Sequence, residues 1–213
     1  MSDRARIYVL AGVNGGGKSS IGGEAIRASG ADYHNPDEIA RQLMSTSPGL
    51  TLVEANAAAW RVGLAQLKRA IQEPLNFAFE TTLGGNTIPR LLGEAAKSGC
   101  EVYVWYVGLK SPELHIERVA ARVRRGGHAI PEEVIRRRYE RSRLNLVQLL
   151  PCLAALRVYD NSEHADPAAG GVPAPRLVLH LEAGRIFGPK DLSKTPDWAK
   201  PIVAAALQLN LGV

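Results

Sequence analysis

Residues 12–19 read Gly-Val-Asn-Gly-Gly-Gly-Lys-Ser, directly after the apolar run Ile7-Tyr8-Val9-Leu10-Ala11. No other stretch restricts the fold as strongly. Glycine loses more conformational freedom on ordering than any other residue, so its density between 12 and 17 needs a reason. The pattern G-x-x-x-x-G-K-[ST] supplies one. Where a strand enters a helix through such a loop, successive backbone N–H groups point inward at phosphate oxygens. The helix N-terminus adds the positive end of its dipole. The apolar run before the loop and helical spacing over 18–29 provide that setting. Gly12, Asn14, Gly15, Gly16, Gly17, Lys18, Ser19 and Ser20 are therefore expected to bind a nucleoside triphosphate. Lys18 would reach the β- and γ-phosphates, and the Ser19 hydroxyl would ligate Mg²⁺. No base-reading motif separates ATP from GTP.

The rest of the chain alternates strand and helix patterns. Strands are expected at 7–11, 31–35, 75–80, 101–107 and 156–160. Helices are expected from Pro36, and over 50–72, 87–98, 112–125, 131–150 and 197–209. The segment 176–187 alternates around Ala183-Gly184 as a hairpin. Such alternation predicts an α/β fold, a parallel sheet with helices on both faces, in a single domain over 1–213. The Pro-, Gly- and Ala-rich segment 161–175 reads as a mobile loop. No apolar run reaches the ~18–20 residues that span a bilayer, and no signal-peptide pattern precedes the first strand. Cys100 and Cys152 form no disulfide framework or metal spacing, which fits a cytoplasmic protein.

The formal charge is +5, and the arginines concentrate in one region: Arg118, Arg122, Arg124, Arg125, Arg136, Arg137, Arg138, Arg141 and Arg143. One local basic cluster suits a phosphate clamp better than a duplex-binding face. Arg118, Arg122 and Arg125 share a helix face by their spacing. Gly126-Gly127-His128 then breaks the helix and Pro131 starts the next. Two basic helices about a glycine hinge, over about 112–143, resemble a lid. Its arginines would neutralise charge on a transferred phosphoryl group, and its closure would exclude water.

The acceptor side is read from strand ends, which line the ligand crevice of a parallel sheet. Asp37, in Asn35-Pro36-Asp37-Glu38, is placed to take a proton from an acceptor hydroxyl; Asp37 and Glu38 serve equally well as partners of a helix N-terminus. Glu80, Thr81 and Thr82, before Leu83-Gly84-Gly85, read as a substrate- or metal-facing loop or as a capped strand exit. His128 and Arg138 are further candidates for substrate contact. Asn161 either meets the nucleotide base or caps a turn.

Taken in order over 7–162, these stretches resemble the zeta toxin family of P-loop kinases. The glycine loop alone is generic. The ordered set is more specific: Asn-Pro-Asp-Glu, Phe-Glu-Thr-Thr, Arg-Val-x-x-Arg-Val-x-x-Gly-Gly-His-x-Ile-Pro, Arg-Arg-Tyr-x-Arg-Ser and Tyr-Asp-Asn-Ser. The resemblance implies a P-loop NTPase core with a nucleotide-kinase-like sheet. It also implies ATP with Mg²⁺, and transfer of the γ-phosphoryl to a hydroxyl of a small molecule such as UDP-N-acetylglucosamine. A small helical antitoxin is the implied partner. By the same resemblance Lys18 and Ser19 are the loop lysine and Mg²⁺ hydroxyl, Asp37 the general base, Glu80 an acceptor contact and Arg118 a lid arginine. The second lid arginine of the family falls near His128, leaving its task to Arg122 or Arg125. Two other readings stay open: a polynucleotide kinase, disfavoured by the lack of an aromatic-basic platform for single strands, and a nucleotide-gated interaction protein without transfer.

Overall fold

The computed structural model describes residues 4–18, 32–163 and 175–212. Ser19, Ser20, the rest of the helix expected over 18–29 and most of the loop expected over 161–175 lie outside the described residues.

The fold is a seven-stranded, mostly parallel sheet with helices on both sides. Its strands are β1 (Arg6–Ala11), β2 (Asp32–His34), β3 (Phe77–Thr81), β4 (Glu101–Gly108), β5 (Ala155–Asp160), β6 (Arg176–Glu182) and β7 (Arg185–Gly188). The spatial order is β2-β3-β1-β4-β5-β6-β7. β1 is central, pairing in parallel with β3 on one side and β4 on the other. The expected hairpin is β6–β7, which extends the sheet antiparallel beyond β5.

Among the described residues the helices are α1 (Pro36–Thr46), α2 (Leu52–Gln72), α3 (Thr87–Lys97), α4 (Pro112–Arg124), α5 (Glu132–Leu149) and α6 (Lys200–Leu211). Their starts are written locally. The Asn35 side chain accepts from the backbone N–H groups of Asp37 and Glu38 at 3.0 and 3.4 Å, ahead of Pro36. Thr51 and Glu54 form a reciprocal capping box for α2. Ser111 caps α4, with Pro112 in its first turn.

The core follows from period-two burial along the strands. Ile7, Val9 and Ala11 point to one face, where Phe77, Phe79, Val104 and Tyr106 join them. Leu67 of α2, Leu92 of α3, Ile135 and Leu146 of α5, and Ile202 of α6 complete this layer. Leu10, Ala78 and Val107 pack on the opposite face with Tyr8, Tyr33 and Trp105. α4 and α5 both bury apolar residues, including Val119 and Ile135. In the linker between them Arg125 and Gly126 are exposed, and Gly126 adopts φ +88°.

Candidate functional site

The site lies where the parallel strands end at their carboxyl side. β1 runs into Gly12, β2 into Asn35, β3 into Thr82, and β5 into Asn161. The glycine loop leaves β1 between β3 and β4, where the strand order reverses, which is the crevice position of open α/β sheets.

Gly12 has φ +136°, and a Cβ there would lie 2.1 Å from the Val107 carbonyl oxygen. Only glycine permits this approach to β4. The loop turns through Gly16 N–H to Val13 O at 3.1 Å. Three side chains from other elements then hold its shape. His115 of α4, fully buried, donates from Nδ1 to the Asn14 carbonyl at 2.8 Å. Arg138 of α5 donates to Asn14 Oδ1 at 2.8 Å. Asn161 donates to the Gly16 carbonyl at 3.0 Å. Asn161 thereby ties the end of β5 to the glycine loop.

Burial pushes His115 down to about 4, with the positive charges of Lys18 and Arg118 acting the same way against its bond to Asn14. It is therefore neutral near pH 7. Its Nδ1 carries the proton, and its buried Nε2 has no hydrogen-bond partner among the described residues. Burial also lowers Lys18, while the Glu80 and Asp37 carboxylates pull it upward and Arg122 and Arg138 push it further down. Lys18 thus stands among two acids and two arginines.

Glu80 is nearly buried and accepts from Tyr33 Oη and from Asn35 Nδ2 at 3.2 Å. Asn35 therefore caps α1 and steadies Glu80 at once. Asp37 is half-exposed in the first turn of α1, with Arg122 Nη1 3.7 Å from its carboxylate. Arg122 also donates to the His128 carbonyl at 3.2 Å and lies 3.4 Å from His128 Nε2. Its buried Nε has no hydrogen-bond partner among the described residues. Arg118 donates to the Glu163 carbonyl at 3.3 Å and flanks the loop, its Cβ 3.4 Å from where a Gly15 Cβ would stand.

Thr81 and Thr82 use their hydroxyls to accept from Leu83 and Gly84 N–H. The loop they open is tied to α5: Ser142 donates to the Thr82 carbonyl at 2.7 Å, and Asn145 to the Leu83 and Gly85 carbonyls at 2.7 and 3.0 Å. A cavity of about 600 Å³ joins these parts, lined at one end by Asn14, Lys18, Asp37, Glu80, His128 and Arg138. Thr81 and Thr82 also border it.

Of the expected residues, Gly12, Asn14, Gly15, Gly16, Gly17, Lys18, Asp37, Glu80, Thr81, Thr82, Arg118, Arg122, His128, Arg138 and Asn161 gather around the loop and cavity. Arg125 does not. It caps the end of α4, exposed, because the helix stops one residue before it and the Gly126 turn leads the chain away. Among the arginines of α5, Arg136 pairs with Glu113 at 2.5 Å, and Arg143 lies over the Tyr139 ring and donates to the Trp198 carbonyl.

Sequence reasoning missed His115, Tyr33 and the α2 wall, where Trp60, Asn56 and Leu64 line the cavity. The available signal was Trp60 itself, a large aromatic on an otherwise alanine-rich helix.

The fold and the glycine loop together define a P-loop α/β protein with a mostly parallel sheet. No sequence-family profile matches the chain. An uncharacterized protein of Haemophilus influenzae is 33% identical over 142 residues, covering 65% of this chain and 94% of the relative. The chain belongs to the same family as that protein. Among solved structures, a chain of the AvrRxo1-ORF1:-ORF2 complex with ATP superimposes with TM-score 0.65 at 13% identity, covering 95% of this chain. This chain spans 64% of the length of that one. The PezAT toxin-antitoxin system of Streptococcus pneumoniae gives TM-score 0.55 at 16% identity, covering 98% of this chain and 88% of the other. At these identities the likeness is one of fold.

Proposed function

We propose that the protein is an ATP-dependent kinase that transfers the γ-phosphoryl group to a hydroxyl of a small molecule. One observation carries the reading: Lys18 of the phosphate loop and the half-exposed Asp37 carboxylate border a single cavity of about 600 Å³, large enough for an acceptor beside the nucleotide. In the reaction Asp37 takes the acceptor hydroxyl proton. The acceptor oxygen bonds to the γ-phosphorus, the bond from that phosphorus to the β–γ bridging oxygen breaks, and ADP leaves. Lys18, Arg122 and Arg118 neutralise charge on the transferring group. Glu80, held by Tyr33 and Asn35, and His128 meet the acceptor.

Mg²⁺, when bound, would be held through the Ser19 hydroxyl and would supply positive charge that offsets the charge of the triphosphate. Among the described residues no cluster of three or more acids, histidines or cysteines forms a dedicated cage. That suits an ion carried largely on phosphates and water, with Ser19 as the protein hydroxyl.

The finer reading is a zeta toxin-like kinase with an antitoxin partner. The ordered motifs over 7–162 support it, as does the likeness of fold to chains of the PezAT and AvrRxo1 complexes. No described helix is long and apolar enough to cross a membrane, and a reaction that consumes ATP fits the cytoplasm. UDP-N-acetylglucosamine is the first acceptor to offer. Mass spectrometry of nucleotide sugars and of a metabolite extract, each incubated with protein, ATP and Mg²⁺, tests the reading. A product heavier by one phosphoryl is expected. Release of inorganic phosphate alone, with every metabolite unchanged, overturns it.

A further inference from the structure

Side chains outside the glycine loop decide which way its peptides face. A trans peptide points its carbonyl and its N–H in opposite directions, so a donor that grips the carbonyl also aims the N–H that follows. His115 holds the Asn14 carbonyl against α4, which turns the Gly15 N–H away from that helix. Asn161 holds the Gly16 carbonyl against the end of β5, which turns the Gly17 N–H away from that strand. The intervening Gly16 N–H donates to the Val13 carbonyl. Among the described residues the Gly15 and Gly17 N–H groups have no backbone acceptor. Gly15 and Gly17 adopt φ +79° and +87°, and Gly16 between them does not share that region. Such alternation makes a concave nest of N–H groups that suits an anion.

The His115 ring is held in place for this grip. It is fully buried, and Tyr139 of α5 packs edge-on against it with ring centroids 5.7 Å apart. Tyr139 is itself fixed by its hydroxyl, which donates to the Lys110 carbonyl at 3.1 Å. α4 sits directly on the loop: a Cβ at Gly15 would stand 3.0 Å from the His115 carbonyl oxygen and 3.3 Å from Val119 Cγ2. His115, Arg118 and Arg122 share one face of α4 by their spacing, so the same grip fixes how far those arginines stand from the loop. Resting on the reading of the loop as a triphosphate site, we propose that His115 and Asn161 are positioning residues for the phosphates, His115 aiming the Gly15 N–H and Asn161 the Gly17 N–H. Neither touches the nucleotide.

The dipeptide Asn-Gly occurs once in the chain, at Asn14-Gly15. The full chain carrying carbonyl-¹³C asparagine and ¹⁵N glycine therefore gives a single carbonyl-edited amide resonance, that of Gly15. Adding ADP with Mg²⁺ should move its proton downfield, the mark of an N–H donating to phosphate. His115→Leu fills the space without a donor. It should abolish that response and weaken ADP roughly tenfold or more, the usual worth of a hydrogen bond to a charged group. His115→Asn, which keeps a donor, should restore both. Asn161→Ala should weaken ADP to a similar degree while the Gly15 response remains. A wild-type Gly15 resonance indifferent to bound ADP overturns the proposal without recourse to any variant. So does a full response in His115→Leu, a folded His115→Asn that restores neither readout, or loss of the response in Asn161→Ala, which would mean that the loop forms as one unit. The two readings fail separately. A His115-dependent Gly15 response without transfer to any acceptor removes the kinase and keeps the positioning. Transfer by the wild type with Gly15 unmoved does the reverse.

Discussion

His115 shows how one buried side chain ties loop shape to pH. Neutral, it donates to the Asn14 carbonyl; a proton on Nε2 would place a third positive charge beside Lys18 and Arg118. Its pKa falls from an ordinary value near 6.5 to about 4 in the fold, so between those values the unfolded chain binds more protons. Stability therefore rises with pH across that window and is lost as pH falls through it, by up to about 3 kcal/mol. His34, also lowered by burial, acts in the same sense. Urea midpoints at pH 7 and pH 4.5 should show this loss in the wild type and a smaller one in His115→Asn, which keeps a donor but cannot titrate. Identical losses would show that His115 is not the titrating group. At the same scale, Arg118→Ala should lower turnover by at least ~10³-fold, the usual worth of a phosphoryl-stabilising arginine, while calorimetry finds ATP binding retained. Unchanged turnover would remove Arg118 from the chemistry.

Among the elements, α2 carries the clearest surprise. Its approximate length was readable from its alanine-rich composition. Its task was not, because alanine-rich spacing describes a packed helix without saying which face meets a cavity. Gly63 marks that face. A Cβ there would stand 2.5 Å from His34 Nε2, and the buried ring has little room to yield. Gly63→Ala should thus cost about 1–3 kcal/mol by overpacking, outweighing the ~1 kcal/mol that alanine gains in helix propensity. Thermal denaturation would read this as a lower Tm; a higher Tm would mean that the ring moves aside. The two basic helices were equally legible as elements, since Gly126-Gly127 and Pro131 bound them. Periodicity did not reveal that α4 ends at Arg124, which turns Arg125 to solvent while Arg122, one turn earlier, reaches Asp37.

For the whole molecule, the glycine loop and the alternation of strands and helices were enough to foresee a parallel α/β sheet, and the motifs at strand ends foresaw most of the crevice. What remained hidden was long-range: Tyr33 reaching Glu80, Asn161 holding Gly16, and α5 fastening the Thr82–Gly85 loop through Ser142 and Asn145. Such contacts depend on which strand neighbours which, and the order β2-β3-β1-β4-β5 is decided by packing of the complete sheet. That order brings Lys18 at the end of β1 and Asp37 beyond β2 to the same cavity, and the proposed function makes this cavity one centre for binding and transfer.

Asp37→Asn tests that claim most directly, with phosphoryl transfer to metabolite hydroxyls and ATP affinity measured on the same preparation. Removal of a general base that acts in transfer predicts a fall in transfer of roughly 10²–10⁴-fold, with the ATP dissociation constant unchanged within about threefold. Transfer at the wild-type rate, or transfer and ATP binding lost together, would contradict the account.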